Sequence, residues 1–127
     1  MPPDAAPHPA RAALERGDIA GLAELLAPDV EFRSPAVYRP YRGRDTVVAL
    51  LDLVAQVFED FRYVAQWRDS GTTILCFEAK VGDRELQGVD ILEEGGDNLI
   101  ERFTVMIRPL SGLQTLSAAV AARVESS

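Results

Sequence analysis

Two carboxylates interrupt apolar runs in the second half of the chain. Asp90 stands inside Gly88-Val89-Asp90-Ile91-Leu92, and Glu78 inside Leu75-Cys76-Phe77-Glu78-Ala79. A carboxyl group in an apolar cavity has its charged form disfavoured, so its pKa climbs and it can give or take a proton near neutral pH. Two such groups close together push their pKa values apart, one serving as acid and the other as base. That chemistry suits proton movement beside a carbonyl, as in a cyclisation or an isomerisation. The competing reading places either residue on a solvated sheet face or in an ion pair with Arg84 or Arg102.

Other chemistries are poorly supplied. The single histidine, His8, lies in a Pro- and Ala-rich N-terminal segment and is expected to face solvent. A Ser-His or Cys-His nucleophile pair therefore lacks its base. The single cysteine, Cys76, allows neither an internal disulfide nor a cysteine-rich zinc site. Its apolar run makes it a small buried residue, counted here among the candidate ligand contacts. No metal or cofactor is expected. The formal net charge is −7, and the 13 lysines and arginines are scattered. Nucleic acid and anionic membrane are therefore poor partners. The first residues hold no apolar signal core, and no apolar run approaches the about 18 residues a membrane span needs. The expected setting is the cytoplasm.

The elements that must position the carboxylates can be read in order. Residues 1–9 read as a flexible arm, and 10–124 as one domain. Ala10–Arg16 is a short helix stopped by Gly17, and Asp18 can cap a second helix over Ile19–Leu26. Val30–Ser34 alternates as a strand, with Phe32 and Ser34 on one face. Pro35–Tyr41 is a loop whose tyrosines, Tyr38 and Tyr41, are either lid residues or anchors. Val47, Leu50, Leu51, Val54, Val57, Phe58 and Phe61 recur at helical spacing and predict the longest helix over Thr46–Asp60. Four strands follow, Arg62–Arg68, Thr72–Val81, Arg84–Glu93 and Leu99–Arg108, joined by short polar turns. Such spacing predicts an antiparallel meander. Tyr63, Ala65 and Trp67 share a face by alternation, and Thr104 and Met106 are placed at the core or cavity. A last helix is expected over Gly112–Arg123. An exact two-residue turn at Gly82-Asp83 pairs Glu78 with Gln87, so setting it beside Asp90 needs a bulge or a longer turn.

Helices followed by a run of strands argue an α+β fold. The expected architecture is a cone-shaped, curved antiparallel sheet wrapped around the long helix, with an apolar cavity at its mouth. Phe32, Ser34, Tyr38, Trp67, Cys76, Thr104 and Met106 are its candidate ligand contacts, and Asp90 and Glu78 its candidate catalytic groups.

The stretch Ala-Leu-Glu-Arg-Gly-Asp-Ile-Ala-Gly-Leu-Ala-Glu-Leu-Leu-Ala-Pro-Asp-Val-Glu-Phe (13–32), with Tyr41-Arg42-Gly43-Arg44-Asp45 opening a helix and strands around a Gly-Gly-Asp-Asn turn, resembles the SnoaL-like branch of the nuclear transport factor 2-like superfamily. The resemblance covers about residues 10 to 110. It implies an α+β cone with a pocket, often paired into a homodimer through the sheet, and small apolar organic ligands. The superfamily includes polyketide cyclases, ketosteroid isomerases, dehydratases and non-catalytic binding modules, so the activity must be carried over residue by residue. Where ketosteroid isomerases have an aspartate base before a proline, this chain has Ser34-Pro35. Where they have a tyrosine on the first helix, it has Ala10. Their acid on the later strand matches Asp90. The resemblance therefore keeps Asp90 and loses the rest of that mechanism. The Asp-Arg-Asp set of the fold's epoxide hydrolases is not assembled either.

Overall fold

The computed structural model of the protein describes residues 6–126. Its elements are α1 (Pro9–Arg16), α2 (Ile19–Ala23), β1 (Leu26–Arg33), β2 (Tyr41–Arg42), α3 (Arg44–Val57), β3 (Glu59–Asp69), β4 (Thr72–Val81), β5 (Arg84–Glu94), β6 (Ile100–Arg108) and α4 (Leu110–Ser126). The strands form one curved, unclosed sheet in the order β2-β1-β6-β5-β4-β3. The α+β expectation holds. From β3 to β6 every neighbour is antiparallel, as short turns require. One pairing differs from the expected antiparallel sheet, because β1 runs parallel to β6. No hairpin turn links those two strands; β1 arrives from α2 and leaves through β2, which pairs with it antiparallel, toward α3, so no turn sets its direction against β6.

Local chemistry fixes the helix ends. Gly17 closes α1 in the left-handed conformation (φ 68°), where a side chain would be strained. The Asp18 carboxylate accepts from the Gly21 N–H at 2.9 Å and starts α2. That helix is shorter than expected. Leu26 already belongs to β1, and the strand runs through Pro28, which sits between the Leu26 and Glu31 pairings where the ladder to β6 is irregular. The long helix stops at Val57 rather than Asp60. Phe58 and Phe61 still pack on each other at 5.3 Å, so apolar spacing continued past the point where the backbone had become extended.

The core gathers Leu22, Leu26, Val30, Val47, Leu75, Leu92, Ile100 and Phe103 between the sheet and the helices. Burying a side chain of this size removes about 1.5–3 kcal/mol of unfavourable hydration.

The N-terminal reading needs correction. Part of the expected arm, residues 1–5, lies outside the described residues. His8, expected to be exposed, is 3% exposed. Its Nδ1 accepts from the Ala10 N–H and caps α1, its backbone N–H donates to Gln66 Oε1, and its Nε2 lies 3.3 Å from Glu94 Oε1. Composition cannot show that this segment docks on the sheet edge, because its partners lie about sixty residues away.

Candidate functional site

The helices and the inner face of the sheet enclose a cavity of about 390 Å³. Its wall is mostly apolar, with Leu50, Leu51 and Val54 from α3, Leu113, Leu116 and Val120 from α4, and Phe32, Phe77, Phe103, Val105 and Ile107 from the strands. The apolar stripe of α3 thus does two jobs. Val47 and Leu51 are buried in the core, and Leu51 together with Leu50 and Val54 also borders the cavity.

Asp90 is the buried acid of this wall. It pairs with Leu75 on β4 and Val105 on β6, in the middle of the sheet, and is 5% exposed. Its Oδ2 accepts a short hydrogen bond from the hydroxyl of Tyr63, on β3. Burial raises the Asp90 carboxyl from its ordinary 3.8 to about 7, and the Tyr63 hydrogen bond opposes that rise. The Tyr63 hydroxyl is held well above its ordinary 10, first by burial and then by the neighbouring Asp90 charge. Tyr63 therefore stays a neutral donor while Asp90 changes charge around neutral pH.

Two backbone features let these residues meet across the intervening strand β4. Gly88 pairs with Phe77, and a Cβ there would lie 2.3 Å from Phe77 Cζ and 2.6 Å from the Met106 carbonyl oxygen. Only glycine leaves room for the ring to lie over β5. Tyr63 in turn packs edge-on against Phe61 at 5.0 Å and Phe77 at 6.3 Å, which orients the phenol. The second feature is a bulge. Tyr63 pairs with Phe77 but Ala65 with Cys76, so β3 carries one extra residue there.

The structure divides the expected site residues. Phe32, Ser34 and Asp90 line the cavity. Tyr38 does not; its side chain is fully exposed, while its neighbours Ala36, Val37 and Tyr41 border the space. Glu78, Cys76, Thr104 and Met106 belong to the outer face. On β4 the inward residues are Thr73, Leu75, Phe77, Ala79 and Val81, so Cys76 and Glu78 point the other way. On β6 Phe103, Val105 and Ile107 line the cavity, which turns Thr104 and Met106 outward. Glu78 pairs with Gln87, as the exact two-residue turn required, and its carboxylate is 2.7 Å from Arg62 Nη2. It does not share a pocket with Asp90. Trp67 was grouped with Tyr63 by alternation, but the bulge between them reverses the facing, and Gln66 turns in while Trp67 turns out, 49% exposed.

Sequence reasoning missed the role of Tyr63. The available signal was a tyrosine at an inward position of a strand. Its link to Asp90 crosses an intervening strand, and that register is not written in the turns alone.

Residues 10–93 match the family model for the SnoaL-like domain. No curated protein matches the chain. Among solved structures, the chain is similar to a steroid delta-isomerase from Pseudomonas aeruginosa, with 43% identity and a TM-score of 0.87 over 91% of this chain and 85% of that one. It is similar to a bacterial protein with a cystatin-like fold from Silicibacter pomeroyi DSS-3, with 35% identity and a TM-score of 0.90 over 94% and 84% of the two chains. A putative ketosteroid isomerase from Kribbella flavida shares the fold at 23% identity, with a TM-score of 0.65 over 80% and 73%. Among the described residues, no helix is long and apolar enough to cross a membrane.

Proposed function

Since the chain belongs to the SnoaL-like domain family, we propose that it binds a small, largely apolar carbonyl compound in the cavity and that Asp90 moves a proton on the carbon beside the carbonyl. The observation that carries this reading is a buried carboxyl, with a pKa of about 7, lining an apolar cavity of about 390 Å³. A group whose pKa lies near the working pH serves about equally well as base and as acid.

The step balances without a second reagent. Ionised Asp90 takes a proton from the carbon next to the carbonyl, and the C–H electron pair forms an enolate. Protonated Asp90 then returns the proton to another carbon of the conjugated system, so a double bond moves and the formula is unchanged. Tyr63 steadies the carboxylate whenever it is charged. Ser34 and Tyr41 line the same cavity, and Ser34 Oγ accepts from the Ala36 N–H at 3.0 Å, which leaves its proton to donate to an enolate oxygen. Because Ser34 stands where ketosteroid isomerases carry an aspartate base, Asp90 takes both halves of the transfer. The designation of the Pseudomonas aeruginosa relative as a steroid delta-isomerase agrees with this class of substrate.

The test is an ultraviolet assay of double-bond migration in β,γ-unsaturated ketones, from cyclohexenones to steroids. Asp90→Asn should lower kcat by about 100-fold or more, while Glu78→Gln, altered on the opposite face, should leave it unchanged. Equal turnover in Asp90→Asn and wild type would refute the assignment. Binding of the ketones without turnover would favour the alternative reading, a non-catalytic ligand-binding module.

We also propose a homodimer through the outer sheet face. Cross-strand rows there run Ala65-Cys76-Val89-Met106 and Trp67-Ile74-Ile91-Thr104, with Trp67 49% and Met106 56% exposed. Apolar rows of this kind are typically covered by a partner. Sedimentation should give a dimer that Met106→Glu dissociates; a monomeric wild type would end the idea.

A further inference from the structure

The Tyr63–Asp90 contact depends on where β3 holds the tyrosine, and among the described residues β3 is an edge strand with β4 as its one neighbour in the sheet. Edge residues have backbone N–H and C=O groups without a ladder partner. At Tyr63 both groups are taken by side chains of α1. The Tyr63 N–H donates to Glu15 Oε2 at 3.0 Å, and Arg11 Nη2 donates to the Tyr63 carbonyl at 3.2 Å. The Arg11 guanidinium also lies 6.0 Å from the centre of the Tyr63 ring, and its Nε is 3.8 Å from Glu15 Oε1.

Arg11 and Glu15 stand four residues apart on one helical face, so both reach the same peptide. The helix that carries them is anchored by Ala10 and Ala13, which are 0% and 4% exposed. The place they grip lies between two register shifts of β3, at Glu59–Arg62 and at Tyr63–Ala65, and is the residue immediately before the second bulge. A bulge is where a strand's pleat and twist vary most, and a residue beside one needs an outside restraint if its side chain is to keep one direction.

We propose that Arg11 and Glu15 are positioning residues, a two-point clamp from α1 on the Tyr63 backbone that keeps its hydroxyl aimed at Asp90. The inference rests on the reading of Asp90 as the proton-transferring group and assigns α1 a part in setting its behaviour. Glu15 also lines the cavity, but its Oε2 is committed to the Tyr63 N–H, and it acts through Tyr63. The charged groups acting on the Tyr63 hydroxyl besides Asp90 are Glu15 and Arg11, while Arg16, which also lines the cavity, is paired with Asp18. From α3, β4 and β6 the residues facing the cavity beside it, such as Leu51, Phe77 and Val105, are uncharged.

The test compares the Asp90 carboxyl titration by NMR, and the pH–rate profile on any turned-over ketone, in wild type, Tyr63→Phe and the double variant Arg11→Met with Glu15→Met, which can neither accept from the Tyr63 N–H nor donate to its carbonyl. The double variant removes one positive and one negative charge, so its direct electrostatic effect largely cancels. Losing the Tyr63 hydroxyl should raise the Asp90 midpoint by about one unit, a tenfold change in its ionisation equilibrium. The double variant should reproduce at least half of that rise although Tyr63 is still present. A clamp that merely fastens the helix would lower the melting temperature and leave the midpoint at its wild-type value, and that result overturns the proposal. Should the double variant not fold, Glu15→Asp alone keeps the charge and shortens the arm that reaches the Tyr63 N–H, with a smaller rise expected and no rise overturning the proposal. A wild-type midpoint near 4 would instead refute the reading of Asp90 itself, and with it the clamp.

Discussion

Replacing Asp90 by asparagine should make the protein more stable at alkaline pH, by an amount that grows with pH in a defined window. The carboxyl ordinarily titrates at 3.8 and in the folded protein at about 7. Between those values the folded state holds a proton that the unfolded state has released. Stability therefore falls as pH rises from about 4 to about 7 and levels off above. A separation of about three units at 1.36 kcal/mol each gives a loss of about 4 kcal/mol. Asparagine keeps the shape and can still accept from the Tyr63 hydroxyl, as the protonated carboxyl does below pH 7, and exchanging one neutral group for the other costs about 1 kcal/mol or less. That cost offsets the whole curve and leaves its slope alone. Urea unfolding of both proteins at pH 4.5, 6, 7.5 and 9 measures the difference directly. Groups such as His8, Asp18 and Glu31 titrate in both proteins and cancel. Against a total stability of about 5–15 kcal/mol, a 4 kcal/mol divergence is plainly visible. Parallel stability curves for the two proteins across this range would refute the argument, because they would mean that the site is wet and Asp90 is not desolvated.

Two further predictions bear on the scaffold. Gly88→Ala places a methyl 2.3 Å from Phe77 Cζ and 2.6 Å from the Met106 carbonyl oxygen. It should cost about 1–3 kcal/mol, read as a lower melting temperature, and displacing Phe77 should weaken ligand binding as well; an unchanged melting temperature would contradict the packing. His8 is buried and its pKa is lowered, chiefly by that burial. It contributes stability above its unfolded pKa of 6.5 that is lost as pH falls below it. His8→Asn keeps a competent helix cap, so going from pH 5 to pH 8 should lower the melting temperature more for the variant than for wild type, because the opposing His8 contribution is gone; an equal change in both proteins would contradict the assignment.

Much of this molecule follows from local chemistry. The antiparallel hairpins of β4, β5 and β6 come from short polar turns, and the exact turn at Gly82-Asp83 set the register that pairs Glu78 with Gln87. The helices follow from their apolar spacing and from Asp18 and Gly17 at their ends. Asp90 stood out because a strand that is apolar on both sides gains nothing from an unpaired carboxyl unless it is used. Phe32 and Ser34 followed from simple alternation and reached the cavity.

The sequence by itself determined the elements, the α+β class, the turn registers and the one acid worth attention. Only the tertiary structure decided which face of each strand looks inward across the whole sheet, and that choice removed Glu78, Cys76, Thr104 and Met106 from the cavity at a stroke. One extra residue in β3 turned Trp67 outward while Tyr63 stayed inward, since a period of two inverts with a single insertion. The partner of Asp90 lies two strands away, the helix that grips that partner comes from the opposite end of the chain, and the histidine capping that helix docks on the same edge. Periodicity records what each residue is next to along its own element. It carries no record of which distant element closes over it, and the ionisation of Asp90 depends on that closure.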